Sequence, residues 1–196
     1  MDAKFTIPYG EYEVADKLSN SISNISIFVP ASRQEKGIDL LAYHFDGEKN
    51  NVVSIQVKQS RTYYKNKVIK VDDERVNIIG HLWFNRFDVP NNADWFILTG
   101  LRAFHPTNWQ NANINSISWG SIMLAFKRDE MISFMDSVRL KSDVNRYDKS
   151  FAFAYDEEGN IYQTRGFGKN RNMNGYLLEN RIEEIKDSIY WCLIIF

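Results

Sequence analysis

The chain predicts one α/β domain built on a mixed central sheet, and three observations carry that expectation. Helical periodicity opens it over residues 10–22, short apolar runs of strand length follow, and two of those runs are apolar at both parities, as strands covered on two faces are. No internal repeat, low-complexity tract or Pro/Ser-rich linker divides the 196 residues. The economical division is therefore a single domain over 1–196, with a core over about 8–100 and a C-terminal elaboration over about 101–196.

In the first helix Val14, Ala15, Leu18 and Ile22 share a face, and Glu11 lies on the same stripe, three residues before Val14 and seven before Leu18. Glu13 falls four residues before Lys17, the spacing of a solvated ion pair. Residues 25–29 alternate briefly before Pro30 stops them, which suits a first strand. Residues 38–45 and 52–59 supply the second and third strands, joined through Asp46-Gly47-Glu48-Lys49-Asn50-Asn51, residue types that tolerate turn geometry. Over 74–87 the placing of Val76, Ile79, Trp83 and Phe87 predicts a helix, with Gly80 as its weak point. Residues 94–100 read as a buried fourth strand.

Beyond residue 100 the pattern predicts one or two strands over 116–126. A helix over 128–140 follows, with Met131, Ile132, Met135 and Val138 inward. A hairpin pairs 151–155 with 161–164 across the turn 156–160. A helix over 177–188 and an apolar strand or docked tail over 189–196 complete the chain.

The chemistry concentrates in Gly37-Ile38-Asp39-Leu40-Leu41-Ala42-Tyr43 and Val52-Val53-Ser54-Ile55-Gln56-Val57-Lys58. Strand side chains alternate faces, so Gln56 and Lys58 project together, and the intervening turn brings Asp39 to the same end of the sheet. An acid and an amide oxygen suit a hard cation, and a lysine beside them can orient water or offset charge on a phosphate.

Asp39 followed by Gln56-Val57-Lys58, with Glu11 on a preceding helix, resembles the PD-(D/E)xK nuclease superfamily, the group of many restriction endonucleases and Holliday-junction resolvases. Gln56 stands where an acid is commoner, making this a Q-x-K variant. The resemblance implies a restriction-endonuclease-like core of order αβββαβ, a mixed central sheet flanked by helices, with an elaborated C-terminal half. It implies a metal-dependent endonuclease that hydrolyses DNA phosphodiester bonds, with Glu11, Asp39, Gln56 and Lys58 catalytic. Asp39, Gln56 and Glu11 would hold Mg²⁺, with Mn²⁺ as a substitute, and Lys58 would hold the attacking water. Two rival readings stand beside it: an inactive nucleic-acid-binding module on the same fold, and an unrelated interaction protein in which Asp39 and Lys58 form a surface ion pair.

The net charge of −1 and pI near 6.3 differ from the strong basicity usual where nucleic acid is gripped by bulk electrostatics, so the local distribution of charge matters more than the total. Two local segments supply cations instead. One carries Arg61, Lys65, Lys67 and Lys70 interleaved with Tyr63 and Tyr64; the other carries Arg165, Lys169 and Arg171 among glycines that let backbone amides approach a phosphate. His44, His81 and His105 show no metal-ligand spacing with one another or with Cys192, so no structural zinc is expected. Of the five tryptophans, Trp109 sits in a polar stretch and is the one expected to be exposed. A lone cysteine, no signal-type N-terminus and no run of about 18 apolar residues predict a cytoplasmic protein that does not enter a membrane, with DNA as its partner and a homodimer left open.

Overall fold

A computed structural model describes residues 9–30, 36–85, 88–104, 118–138, 149–166 and 169–191. Their order is α1 (Tyr9–Ser21), β1 (Ser26–Phe28), β2 (Leu40–Phe45), β3 (Asn50–Ser60), β4 (Thr62–Val71), β5 (Glu74–Asn85), β6 (Trp95–Phe104), β7 (Ser118–Lys127), α2 (Arg128–Ser137), β8 (Ser150–Tyr155), β9 (Ile161–Arg165), β10 (Arg171–Asn172) and α3 (Leu178–Tyr190). A single 3₁₀ turn, Asn174–Tyr176, precedes α3.

Among the described residues the strands form two five-stranded sheets. The first, in order β1-β2-β3-β6-β7, is mixed: β3 and β6 run parallel and every other neighbour is antiparallel. The second, β10-β9-β8-β5-β4, is antiparallel throughout. Parallel neighbours need a crossover, and between β3 and β6 it is made by the β4–β5 hairpin, which belongs to the second sheet.

That hairpin corrects the helix expected over 74–87. Ile78, Gly80, Leu82 and Phe84 are buried, while the residues between them are half-buried or exposed, a period of two. The helical spacing of Val76, Ile79 and Trp83 coexists with this alternation because apolar residues occur at both parities. Strand preference in the β-branched and aromatic residues, and burial between two sheets, decide between the readings. Gly80 now has a purpose: a Cβ there would strike the Tyr155 ring of neighbouring β8.

The core has two main layers. On one face of the first sheet Leu40, Ala42, Val53, Ile55, Val57, Trp95 and Ile97 pack against Val14, Leu18 and Ile22 at α1, and against Leu178, Ile185 and Ile189 of α3. On its other face Phe96, Leu98, Leu124 and Phe126 meet Leu82, Phe84, Phe151, Phe153 and Tyr155 of the second sheet, with Met131 and Met135 of α2. The first sheet is thus covered on both sides, which its both-parity apolar runs require.

The C-terminal segments do not form an appendage. β7 is an edge of the first sheet, β8 to β10 make most of the second, and a boundary near residue 100 cuts through β6. The 151–155/161–164 hairpin appears as β8 and β9. In α2, Met131 and Met135 are buried as expected, but Ile132 is 41% exposed and faces solvent. Ile189 ends α3 as a helical core residue rather than a strand, and residues 192–196, including Cys192, lie outside the described residues, as do His105 and Trp109. No helix of the described residues is long and apolar enough to cross a membrane.

Candidate functional site

The β2–β3 hairpin sets the geometry around Asp39. Its turn is fixed by Asp46, whose Oδ1 accepts from the backbone N–H groups of Glu48 and Lys49, and those bonds hold its carboxyl below its usual pKa. The resulting register pairs Leu40 with Ile55. Asp39, one residue ahead of β2, then straddles Gln56: its N–H donates to the Ile55 carbonyl at 2.9 Å, and its Oδ2 accepts from the Val57 N–H at 2.8 Å.

A second aspartate makes an instructive parallel on the other side of β3. Asp94, just ahead of β6, accepts the Ser54 N–H (2.9 Å) and hydroxyl (2.7 Å) on Oδ2 and bonds Arg128 through Oδ1 at 3.0 Å. Its carboxylate is spent on structure. Asp39 commits only Oδ2, to a single backbone donor, and is half-buried at the end of the sheet.

Gln56 and Lys58 pair in parallel with Phe96 and Leu98, so both lie on the face turned toward the second sheet. Gln56 is 5% exposed, and its Oε1 has no hydrogen-bond partner. An unpaired buried carbonyl of this kind costs about 1–3 kcal/mol, so its retention asks for a reason. Lys58, two residues nearer the strand end, is half-buried.

Glu11 is placed differently. It is buried in the first turn of α1, on the stripe expected of it. But α1 lies over the opposite face, that of Val57 and Gln59: a methyl group on Gly10 would sit 3.0 Å from the Thr99 side chain and 3.2 Å from that of Gln59. The sheet therefore separates the body of α1 from the face carrying Gln56 and Lys58. Glu13 and Lys17 do not pair with each other either; Glu13 accepts from the Tyr9 hydroxyl and Lys17 reaches Glu179 of α3 at 3.5 Å.

The residues present fit a hard cation held sparingly. Magnesium is commonly bound by one or two protein oxygens, with water and substrate phosphate completing its shell. Asp39 and the orphaned Gln56 Oε1 are oxygens of that class on neighbouring strands. No group of three or more His, Cys, Asp and Glu side chains that could hold a metal occurs among the described residues.

The basic segments also differ from expectation. Arg61, Lys65, Lys67 and Lys70 are not on a loop: Arg61 precedes β4 and the others lie on it, at the open edge of the second sheet, where all four are exposed. Lys70 is engaged by Asp73 at 2.6 Å. Of the second group, Arg165 ends β9, Arg171 lies on β10 opposite Gln163, and Lys169 is exposed between them; Phe167 and Gly168 lie outside the described residues.

Sequence reasoning missed what β5 carries. His81 stacks on Tyr63, with centroids 5.4 Å apart and planes 19° from parallel, and the Arg165 guanidinium lies 4.6 Å from the centre of the Trp83 ring. Reading 74–85 as a strand would have exposed the i, i+2 relation of His81 and Trp83. Burial, then the charges of Arg165 and Lys65, lower the pKa of His81 below the ordinary histidine value. His44 is structural, its Nδ1 set 2.8 Å from the Asn24 carbonyl and its ring against Tyr190.

No protein-family model, curated protein or solved structure matches the chain.

Proposed function

We propose that the chain is a metal-dependent nuclease whose reacting centre is Asp39, Gln56 and Lys58, without Glu11. The observation that carries this reading is the buried, unpartnered Gln56 Oε1 on the face of Lys58 and beside Asp39. A structural glutamine would be expected to find a partner, since buried polar groups overwhelmingly do. An acceptor kept bare beside a carboxylate is a ligand position.

When bound there, a magnesium-class ion supplies positive charge against a phosphate oxygen and lowers the pKa of water. Asp39 contributes the negative charge that draws the ion, and the Val57 N–H fixes which carboxylate oxygen stays available. Gln56 contributes oxygen without charge, so affinity for the ion is lower than at a two-acid site. Lys58 orients the attacking water and offsets charge developing on the phosphate.

Cleavage of supercoiled plasmid with and without Mg²⁺ tests this. Asp39→Ala and Lys58→Ala each lose at least about 100-fold in rate while retaining the wild-type thermal melt, the scale on which a group that stabilises the transition state acts. Glu11→Gln keeps its rate within about threefold. Full activity in Asp39→Ala or Lys58→Ala overturns the assignment.

A further inference from the structure

The outer face of the second sheet carries a surface that the reacting centre does not use. Register aligns Tyr63 with His81, and Trp83 with Ala152 and Arg165, so these aromatic and cationic side chains share one face. Leu82, Phe84, Phe151 and Phe153, at the alternate positions, point to the first sheet. The face is therefore directed outward. Tyr63 is 46% exposed, His81 and Trp83 are half-buried, and Arg165 is exposed.

Ala152 and Ala154, on the same face, are 1% and 0% exposed, yet the rings beside them stay open to solvent in part, at positions where charged and small polar residues are commoner. What such rings bind depends on their neighbours. Arg61, Lys65 and Lys67 follow the same edge, and no acid occurs from Arg61 through Lys70. Flat π faces flanked by cations match a polymer that is flat, unsaturated and anionic at regular intervals. An acidic peptide would use the cations alone and leave the rings idle. Duplex DNA hides its base faces within the stack, whereas an unpaired strand presents them.

We propose that this face is a stacking platform for unpaired nucleotides, with bases laid on the Tyr63–His81 pair and on the Trp83–Arg165 pair and phosphates carried along Lys65 and Lys67. The proposal deepens the nuclease reading by naming the form of its substrate. Lys58 is five residues before Tyr63, so their Cα atoms are at most about 18 Å apart.

Binding is measured by fluorescence anisotropy in EDTA, so that cleavage plays no part, with a labelled 15-nucleotide oligo(dT) and the same strand annealed to oligo(dA). Wild type binds the single strand more tightly than the duplex. Tyr63→Ala weakens single-strand binding roughly 5- to 150-fold, the effect of losing one base-stacking ring, while Tyr63→Phe keeps the ring and stays within about twofold. Equal single-strand affinity in Tyr63→Ala, or duplex binding as tight as single-strand binding, overturns the platform. Oligo(dT) binding that depends on Tyr63, without cleavage of any substrate, removes the nuclease reading and leaves the platform standing; Mg²⁺-dependent cleavage with a silent Tyr63→Ala does the reverse.

Discussion

In the first sheet the residues that ask for explanation are polar and buried; in the second they are aromatic and exposed. Asn51, Ser54, Gln56, Ser60 and Thr99 are all less than 9% exposed in a sheet covered on both faces. Three of them are accounted for: Asn51 donates to the Tyr190 carbonyl, Ser54 to Asn92 and Asp94, and Ser60 to Arg61 and Trp83. Gln56 and Thr99 keep an unpartnered oxygen. The second sheet has one face in the core, and on the other Tyr63 is 46% exposed while His81 and Trp83 are half-buried. The contrast teaches where to look in each layer. A covered sheet reveals function through a polar atom it fails to satisfy, and a half-covered sheet reveals it through an apolar surface it fails to hide.

The sharpest way to break this comparison is to truncate one ring in each setting. Phe96→Ala, between the sheets and fully buried, costs about 3–5 kcal/mol, a large fraction of the about 5–15 kcal/mol of an ordinary domain. Tyr63→Ala, on the outer face, stays within about 0.5 kcal/mol of wild type. Urea denaturation of the two variants checks both values, and a large loss in Tyr63→Ala would make the outer face structural.

A smaller effect concerns pH. His81 has its folded-state pKa below the ordinary 6.5 because of burial and then of Arg165 and Lys65. The unfolded chain therefore binds the proton more readily than the folded one between those two values. The contribution is fully present above pH 6.5 and is lost as pH falls through the folded-state pKa. Thermal melts from pH 7.5 to 5 should show stability falling with pH, and His81→Gln should make that fall shallower; an identical slope in the variant would remove His81 as its source.

How much of this was legible in the sequence varies with the range of the interaction involved. The convergence of Asp39 and Gln56 depends on the short turn over 46–49 and strand alternation, both local, and both are visible in 37–58. The first helix, β1 to β3, β6, the β8–β9 hairpin and α3 were legible for the same reason. The side of the sheet taken by α1 is not written in its own residues: Glu11 lies on the buried stripe whichever face the helix covers. The packing of Gly10 on Thr99 and Gln59, and of Val14 and Leu18 with Val57 and Ile97, decides it. The segment 74–85 failed for a different reason. A strand with apolar residues at both parities satisfies helical spacing by accident, and Gly80 was read as a flaw in a helix when it makes room for Tyr155 of the adjacent strand.

The central claim is that Gln56 is kept polar for a ligand, and a Mg²⁺ titration of plasmid cleavage by two variants tests it most directly. Gln56→Leu removes the orphaned oxygen at nearly constant volume. It should raise stability by about 1–3 kcal/mol, the burial penalty of that unpaired carbonyl, and at the same time shift the Mg²⁺ requirement upward by at least about tenfold. Gln56→Glu supplies a charged oxygen in the same place and should lower the Mg²⁺ requirement through stronger Coulomb attraction. Opposite shifts in the two variants are the predicted result. A Gln56→Leu protein that cleaves normally at low Mg²⁺ would show that the amide holds nothing, and would contradict the account.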